Sequence, residues 1–299
     1  MKLKILISFI LLAITLPGIS LAKKIQKFNG PYWHDFDFVN KRGKSIVYLP
    51  EDYNPKKKYP LVISLHGFGG SANMQNTLFD LRPFTTKMQF ILINPDGLKG
   101  AGGLRFWNAT DFCCNYSKQE VDDVEYISDV IEGMSDEYSI DLKRVHLFGH
   151  SNGGFMSYRM ACDMPHKIAS LVSFAGVNWN DFSKCKGVEP IPVLHIHGTK
   201  DFLIKYPGSG KFPSAEKTAE QWAAHNNCSE EKITTQTFND LKPLNMKVPF
   251  LTTTEKVWTD CDKGATVKLW SVKDGDHLMT FNKKYLNRLL GYLLKFKKN

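Results

Sequence analysis

The sequence predicts an α/β fold, a mostly parallel central sheet with helices on both faces, and three observations carry that expectation. After residue 34, short β-rich runs alternate with segments of helical spacing almost to the end of the chain. Several of the short runs are near-continuously apolar, as strands covered on both faces are. One of them runs straight into Gly149-His150-Ser151-Asn152-Gly153 with a helical pattern behind it, so strand, sharp turn and helix follow each other without a linker.

The strands are expected at 45–50, 60–65, 90–94, 145–148, 169–174, 192–196 and 267–272. Helices are expected at 121–138, 154–164, 215–225 and 284–296, where apolar residues recur at helical spacing. A sheet wound this way binds its ligands at the carboxyl ends of the strands. Ser151 lies at one of those ends.

Residues 1–22 read as a secretory signal peptide. Lys2 and Lys4 precede an apolar run to Leu16, a Pro17-Gly18 break follows, and Ser20-Leu21-Ala22 places small residues where a signal peptidase cuts. The apolar run is short for a membrane span, and no cysteine follows Ala22 to take a lipid. The mature chain is therefore expected to begin at Lys23, to be secreted or periplasmic, and to have no stable membrane anchor. About 277 residues remain, with no internal repeat and no Pro- or Ser/Thr-rich linker, so 23–299 reads as a single catalytic domain. The formal charge is +9, of which Lys2 and Lys4 supply two, leaving +7. The remaining lysines are scattered rather than interleaved with aromatics, which points to a solvated surface and away from nucleic acid as a partner.

All six cysteines fall after residue 22, an even number that suggests disulfides in an exported protein. Cys228 and Cys261 are expected to pair, because they bracket the one long stretch without clear hydrophobic periodicity. Cys113 and Cys114, being adjacent, are expected to take separate partners, with Cys162 and Cys185 left to receive them.

The chemistry centres on Gly149-His150-Ser151-Asn152-Gly153. In a turn this sharp larger side chains would collide at the glycine positions, and the serine hydroxyl is pushed out above the sheet, which makes Ser151 the candidate nucleophile. A serine hydroxyl needs an imidazole to take its proton, and that imidazole needs a carboxylate to fix its tautomer and balance its charge. The order expected is Ser, acid, His. The strand at 192–196 exits through His197-Gly198-Thr199-Lys200-Asp201, giving Asp201 as the acid with Asp181 as its rival. The last strand exits through Lys273-Asp274-Gly275-Asp276-His277, and His277 is the sole histidine after His225, so it is the expected base. The oxyanion requires two N–H donors. Asn152 supplies one, and His66-Gly67-Phe68-Gly69-Gly70 supplies the other through Phe68, with Gly67 next. His150 is expected to pack beneath the nucleophile. His195 and His197 face one side of a strand, yet with acid and base already assigned they are expected to be held by backbone, and neither a metal nor a cofactor is expected.

With the elbow, His66-Gly67-Phe68-Gly69-Gly70, Trp107-Asn108, Cys113-Cys114, Val121-Asp122-Asp123-Val124, His197-Gly198-Thr199-Lys200-Asp201 and Gly275-Asp276-His277 in that order, the chain resembles the secreted polyhydroxybutyrate depolymerase and feruloyl esterase family of α/β-hydrolases. The resemblance spans roughly residues 40 to 295. It implies carboxylic-ester hydrolysis through an acyl-enzyme, with Ser151, Asp201 and His277 at the triad positions. Asp122 and Asp123 match a family motif and, at a helix start, suit the helix dipole. The base departs from the pattern: Asp276 precedes it and Leu278-Met279 follow, where the family has glycines before and Thr-Trp-Pro after. Enzymes of this group that attack solid polyester often carry a polymer-binding domain behind a linker. None is found here, so soluble oligomers or small acyl and feruloyl esters are the expected substrates, with Trp107 and Trp179 as pocket walls. A serine peptidase, an acyltransferase and a catalytically silent binding protein are the competing readings. Asn108, Asn115 and Asn227 lie in glycosylation sequons.

Overall fold

The computed structural model describes residues 32–34, 42–43, 45–238, 244–245 and 251–299, and the segment read as a signal peptide lies outside them. One ten-stranded sheet organises the chain. Its strands are β1 (Tyr32–His34), β2 (Ser45–Tyr48), β3 (Tyr59–Leu65), β4 (Ile91–Asn94), β5 (Ile140–His150), β6 (Ser170–Phe174), β7 (Val193–Gly198), β8 (Ile233–Phe238), β9 (Thr253–Trp258) and β10 (Val267–Val272), in the spatial order β1-β2-β4-β3-β5-β6-β7-β10-β9-β8. The pairs from β4 through β3, β5, β6 and β7 to β10 are parallel. The strands outside them, β1 and β2 on one edge and β8 and β9 on the other, are antiparallel.

The parallel strands are apolar because both faces are covered. Asp123–Glu137 (α2), Asn152–Asp163 (α3) and Ala215–His225 (α4) pack over one face, where Trp107, Tyr158 and Trp222 join a single apolar cluster. Ala72–Leu78 (α1) and Lys283–Leu293 (α5) lie on the other, over a cluster that holds Phe79, Phe148, Phe174, Trp270 and Tyr285. Side-chain oxygens cap the starts of these helices: Ser71 for α1, Asp122 for α2, Ser214 for α4 and Asn282 for α5.

Register brings the functional strand ends together. Leu65 of β3 pairs with Gly149 of β5, His150 with Phe174 of β6, Phe174 with Ile196 of β7, and Val272 of β10 with Gly198. Because all of these pairs are parallel, the loops that leave them open on the same edge of the sheet.

Two expectations change. The stretch between Cys228 and Cys261 contains a strand pair, β8 against β9, with Thr254 opposite Thr237 and Glu255 opposite Gln236. Its hydrophobic period is hidden because β8 exposes most of its side chains while β9 turns Thr253 and Glu255 inward. The Glu255 carboxylate is fully buried and accepts from Trp270 Nε1 at 2.6 Å, Gln236 Nε2 at 2.7 Å and Lys268 Nζ at 2.9 Å. Those donors satisfy a charge that burial would otherwise penalise.

The cysteines differ more. Cys228 bonds to Cys261, while Cys113 bonds to its neighbour Cys114 and Cys162 to Cys185. The expectation of separate partners for Cys113 and Cys114 is thus corrected. Their peptide bond is cis, and the two Cα atoms lie 3.0 Å apart. Cys228 and Cys261, 33 residues apart, tie the end of α4 to the strand pair. Replacing both by Ala is expected to lower stability by about 2–4 kcal/mol. Urea unfolding is the measurement, and an unchanged midpoint would contradict it.

Candidate active site

Ser151 sits between β5 and α3 with φ of 51° and ψ of −120°, a conformation that a non-glycine residue holds only when its surroundings enforce it. The surroundings do. A Cβ on Gly149 would lie 2.0 Å from the Gly153 carbonyl oxygen, and one on Gly153 would lie 2.2 Å from that of Leu65. Strand, turn and helix therefore meet backbone to backbone. Ser151 N–H donates to Phe174 O at 2.7 Å, and Phe155 N–H donates to Ser151 O at 3.0 Å, so the turn is bonded to both β6 and its own helix.

Ser151 Oγ lies 2.8 Å from His277 Nε2, and His277 Nδ1 lies 2.8 Å from Asp201 Oδ2. His277 stands in the loop after β10 and Asp201 in the loop after β7, and the two loops are stitched together. Lys200 N–H donates to Gly275 O at 2.8 Å, and Asp274 N–H donates to Thr199 Oγ1 at 2.9 Å. The second Asp201 oxygen accepts from Leu203 N–H at 2.9 Å and Ile204 N–H at 2.8 Å. Burial alone would raise the Asp201 carboxyl, but hydrogen bonds from His197 and His277 hold it well below the usual carboxylate range. Those bonds favour the anion. Asp181 lies away from this group and caps the short turn Phe182–Lys184.

The loop after β3 closes the other side. Gly67 packs so tightly on the elbow that an added Cβ would be 3.3 Å from Ser151 Cβ. The Gly67 carbonyl accepts from Gly70 N–H at 3.0 Å and from His66 Nδ1 at 2.8 Å. His66 Nε2 accepts from Gly97 N–H at 2.9 Å, so its tautomer is set and Nδ1 carries the proton. Gly67 C=O and Phe68 N–H are opposite ends of one planar peptide. With the carbonyl tied down, the Phe68 N–H is held on the other side. Asn152 opens α3, where a backbone N–H has no intrahelical acceptor. Its side chain is committed elsewhere: Oδ1 accepts from Trp107 N–H at 2.7 Å and Nδ2 donates to Trp107 O at 2.9 Å.

Trp107 corrects an expectation. Rather than walling a pocket it is fully buried, with its ring 5.1 Å from His66 and its Nε1 donating to His66 O at 3.0 Å. It braces the loop after β3, and Asn152 clamps its backbone. Trp179 does line a cavity of about 610 Å³, with Asn108, Phe112, Tyr116, Arg159 and Lys184. Ser151 and His277 are not among its lining residues; Tyr116, which is, meets the Phe68 ring at 5.3 Å.

Three interactions escaped the sequence reading. The His66 bond to Gly67 was signalled only by its position before the glycines. Asp123 is not merely a helix-start acid: it is buried, paired with Arg42, and accepts from Asn108 N–H at 2.5 Å, while Asp122 makes the cap. His150, expected beneath Ser151, is stacked on Phe174 at 4.9 Å, and its Nε2 donates to His277 O at 3.2 Å. His195 and His197 are held by each other and by Tyr158 as well as by backbone, at 3.1 Å and 2.8 Å respectively. Among the described residues no group of three His, Cys, Asp or Glu side chains could hold a metal ion.

Fold and elbow together define an α/β-hydrolase with serine at the nucleophile position. The chain belongs to the phospholipase/carboxylesterase family, whose model matches residues 53–242. Among curated relatives, the bifunctional acetylxylan esterase/xylanase XynS20E of Neocallimastix patriciarum is 26% identical over 82% of this chain and 32% of its own length. Feruloyl esterase D of Neurospora crassa is 25% identical over 80% of this chain and 76% of its own length. The chain thus spans about a third of the first relative and about three quarters of the second. The motif resemblance to feruloyl esterases holds. Among solved structures, an acetyl xylan esterase from Aspergillus awamori aligns with a TM-score of 0.63 at 16% identity, covering 89% of this chain and 99% of that one. A ferulic acid esterase from Anaeromyces mucronatus aligns with a TM-score of 0.53 at 16% identity, covering 91% and 93%. At such identities the likeness is one of fold.

Two outcomes are expected of this arrangement. Gly153→Ala should cost about 3 kcal/mol or more, because the new Cβ must displace the Leu65 carbonyl; denaturant unfolding would contradict this with a wild-type midpoint. The second concerns acid. Burial holds His66 down at about 4 and His146 and His150 at about 3, whereas the unfolded histidines titrate near 6.5. As pH falls from 6.5 toward 4, the unfolded chain takes up protons that the folded chain refuses, so stability drops by about 1.4 kcal/mol per pH unit for each histidine. Asp201, depressed instead, protects the folded state until pH falls below 3.8 and then adds to the loss. Thermal midpoints should fall steadily below pH 6.5, and a flat profile from pH 7 to 5 would contradict the assignment.

Proposed function

We propose that this chain is an exported serine esterase that hydrolyses carboxylic esters, of acetyl or feruloyl type or of short polyhydroxyalkanoate oligomers, through an acyl-enzyme on Ser151. The observation that carries the reading is the unbroken pair of 2.8 Å contacts from Ser151 through His277 to Asp201, set on a strained elbow. His277 Nε2 takes the hydroxyl proton as Ser151 Oγ attacks the ester carbon, and the buried Asp201 anion balances the imidazolium. Oxygen charge in the tetrahedral intermediate is met by the N–H groups of Asn152 and Phe68. His277 then returns its proton to the leaving alcohol, and a water repeats the sequence to free the acid. Residues 23–299 form one catalytic domain in this reading, with 1–22 as its export signal.

The acyl preference rests on the relatives, whose names are those of acetylxylan and feruloyl esterases. Peptide hydrolysis has less support, since family and relatives are named for ester chemistry. The test is turnover of p-nitrophenyl esters from acetate to octanoate, and of methyl ferulate, by the oxidised protein and by Ser151→Ala. Wild type should turn over the short esters, and the variant should lose about 10⁴-fold or more in kcat. Folded wild type without turnover on any of these esters would sink the proposal.

A further inference from the structure

We propose that His197 is a positioning residue for the Asp201–His277 pair, itself held in place by a buried chain of hydrogen bonds that starts at the Tyr158 hydroxyl. This rests on the esterase reading of Ser151 and deepens it. Tyr158 stands on α3, the helix that follows the elbow, and its hydroxyl lies 2.8 Å from His195 Nδ1. His195 Nε2 lies 3.1 Å from His197 Nδ1. His197 Nε2 lies 2.7 Å from Ile204 O and 3.3 Å from Asp201 Oδ2, the same oxygen that faces His277 Nδ1.

The direction of the chain follows from one end. A carbonyl oxygen only accepts, so Ile204 O fixes a proton of His197 on Nε2, and in the neutral ring Nδ1 is then an acceptor. His195 must then donate from Nε2 and accept at Nδ1, and the Tyr158 hydroxyl is the donor that fits. Burial, and then the neighbouring His197, holds the His195 imidazole well below its ordinary range, and burial pushes the Tyr158 hydroxyl well above its own. Both therefore stay neutral. The two histidines can carry the link because residues two apart on a strand face the same side. All three rings are fully buried.

Satisfied core histidines need no catalytic consequence. Here the chain ends on the reacting group's own partner. Leu203 and Ile204 amides fix one Asp201 oxygen, and the other is shared between His277 and His197. Without His197 that oxygen keeps His277 alone, the Ile204 carbonyl is unpaired, and the carboxylate is free to turn about its Cβ–Cγ bond. His277 would then lose the fixed orientation that keeps Nε2 on Ser151 Oγ.

The test compares His197→Phe, His197→Gln and Tyr158→Phe. Phe removes the donor, Gln retains an N–H donor, and Tyr158→Phe deletes only the head of the chain. On p-nitrophenyl acetate, His197→Phe should lower kcat roughly 10- to 100-fold with KM nearly unchanged, and His197→Gln should recover most of the loss. Tyr158→Phe should show a smaller loss in the same direction. A second readout needs no turnover: in a Ser151→Ala background, the low-field proton resonance of His277 Nδ1–H should persist with Gln and broaden or vanish with Phe. Wild-type kcat in folded His197→Phe, equal losses for Phe and Gln, or an unchanged resonance would overturn the proposal. If His197→Phe does not fold, Tyr158→Phe decides, and unchanged kcat and resonance there overturn it. Wild type without turnover counts against the esterase reading alone, because the resonance still reports on His197.

Discussion

The whole site depends on one close approach, that of β5 to its following helix across the two elbow glycines. Backbone meets backbone there at distances no side chain can share, and Ser151 takes up a positive φ as the result. That single constraint sets the serine hydroxyl toward the loop after β10 and leaves the first helical N–H free of an intrahelical partner. It also fixes where α3 lies, and α3 carries both Asn152 and Tyr158. In the proposed esterase reading, the same turn aims the nucleophile, offers an oxyanion donor and anchors a hydrogen-bond chain to the acid.

Around the elbow, buried histidines do the positioning. His66 fixes the peptide plane of the Phe68 loop, His150 holds the carbonyl of His277, and His195 with His197 reaches Asp201. An imidazole suits this task because, once neutral, it donates at one nitrogen and accepts at the other, so each ring passes a direction along. Burial keeps the His66, His150 and His195 rings neutral, and it is also what makes the fold acid-sensitive.

Buried ions hold the periphery. Arg42 and Asp123 anchor the start of α2 and the Trp107-Asn108 segment, and Glu255 with Lys268 joins the antiparallel edge to the parallel body. Each carboxylate has additional N–H donors, the condition under which a buried charge is tolerated.

The chain by itself determined the parallel body of the sheet and the elbow, because apolar runs, helical spacing and glycine at a sharp turn are local signals. It also put Ser151, Asp201 and His277 on loops just past apolar runs, at strand ends that the structure brings within hydrogen-bond distance. Tertiary structure alone decided the rest. The β8–β9 pair stayed hidden because its inward positions hold the polar Thr253 and Glu255, which break the apolar alternation of a half-buried strand. The bond between Cys113 and Cys114 turns on the geometry of one peptide, which composition does not encode. Trp107 reads as a pocket wall from its loop setting, yet the side chain of Asn152, 45 residues away, draws it into the core. Contacts between residues near in sequence leave a pattern along the chain, whereas hydrogen bonds across the fold leave none until register brings their partners together.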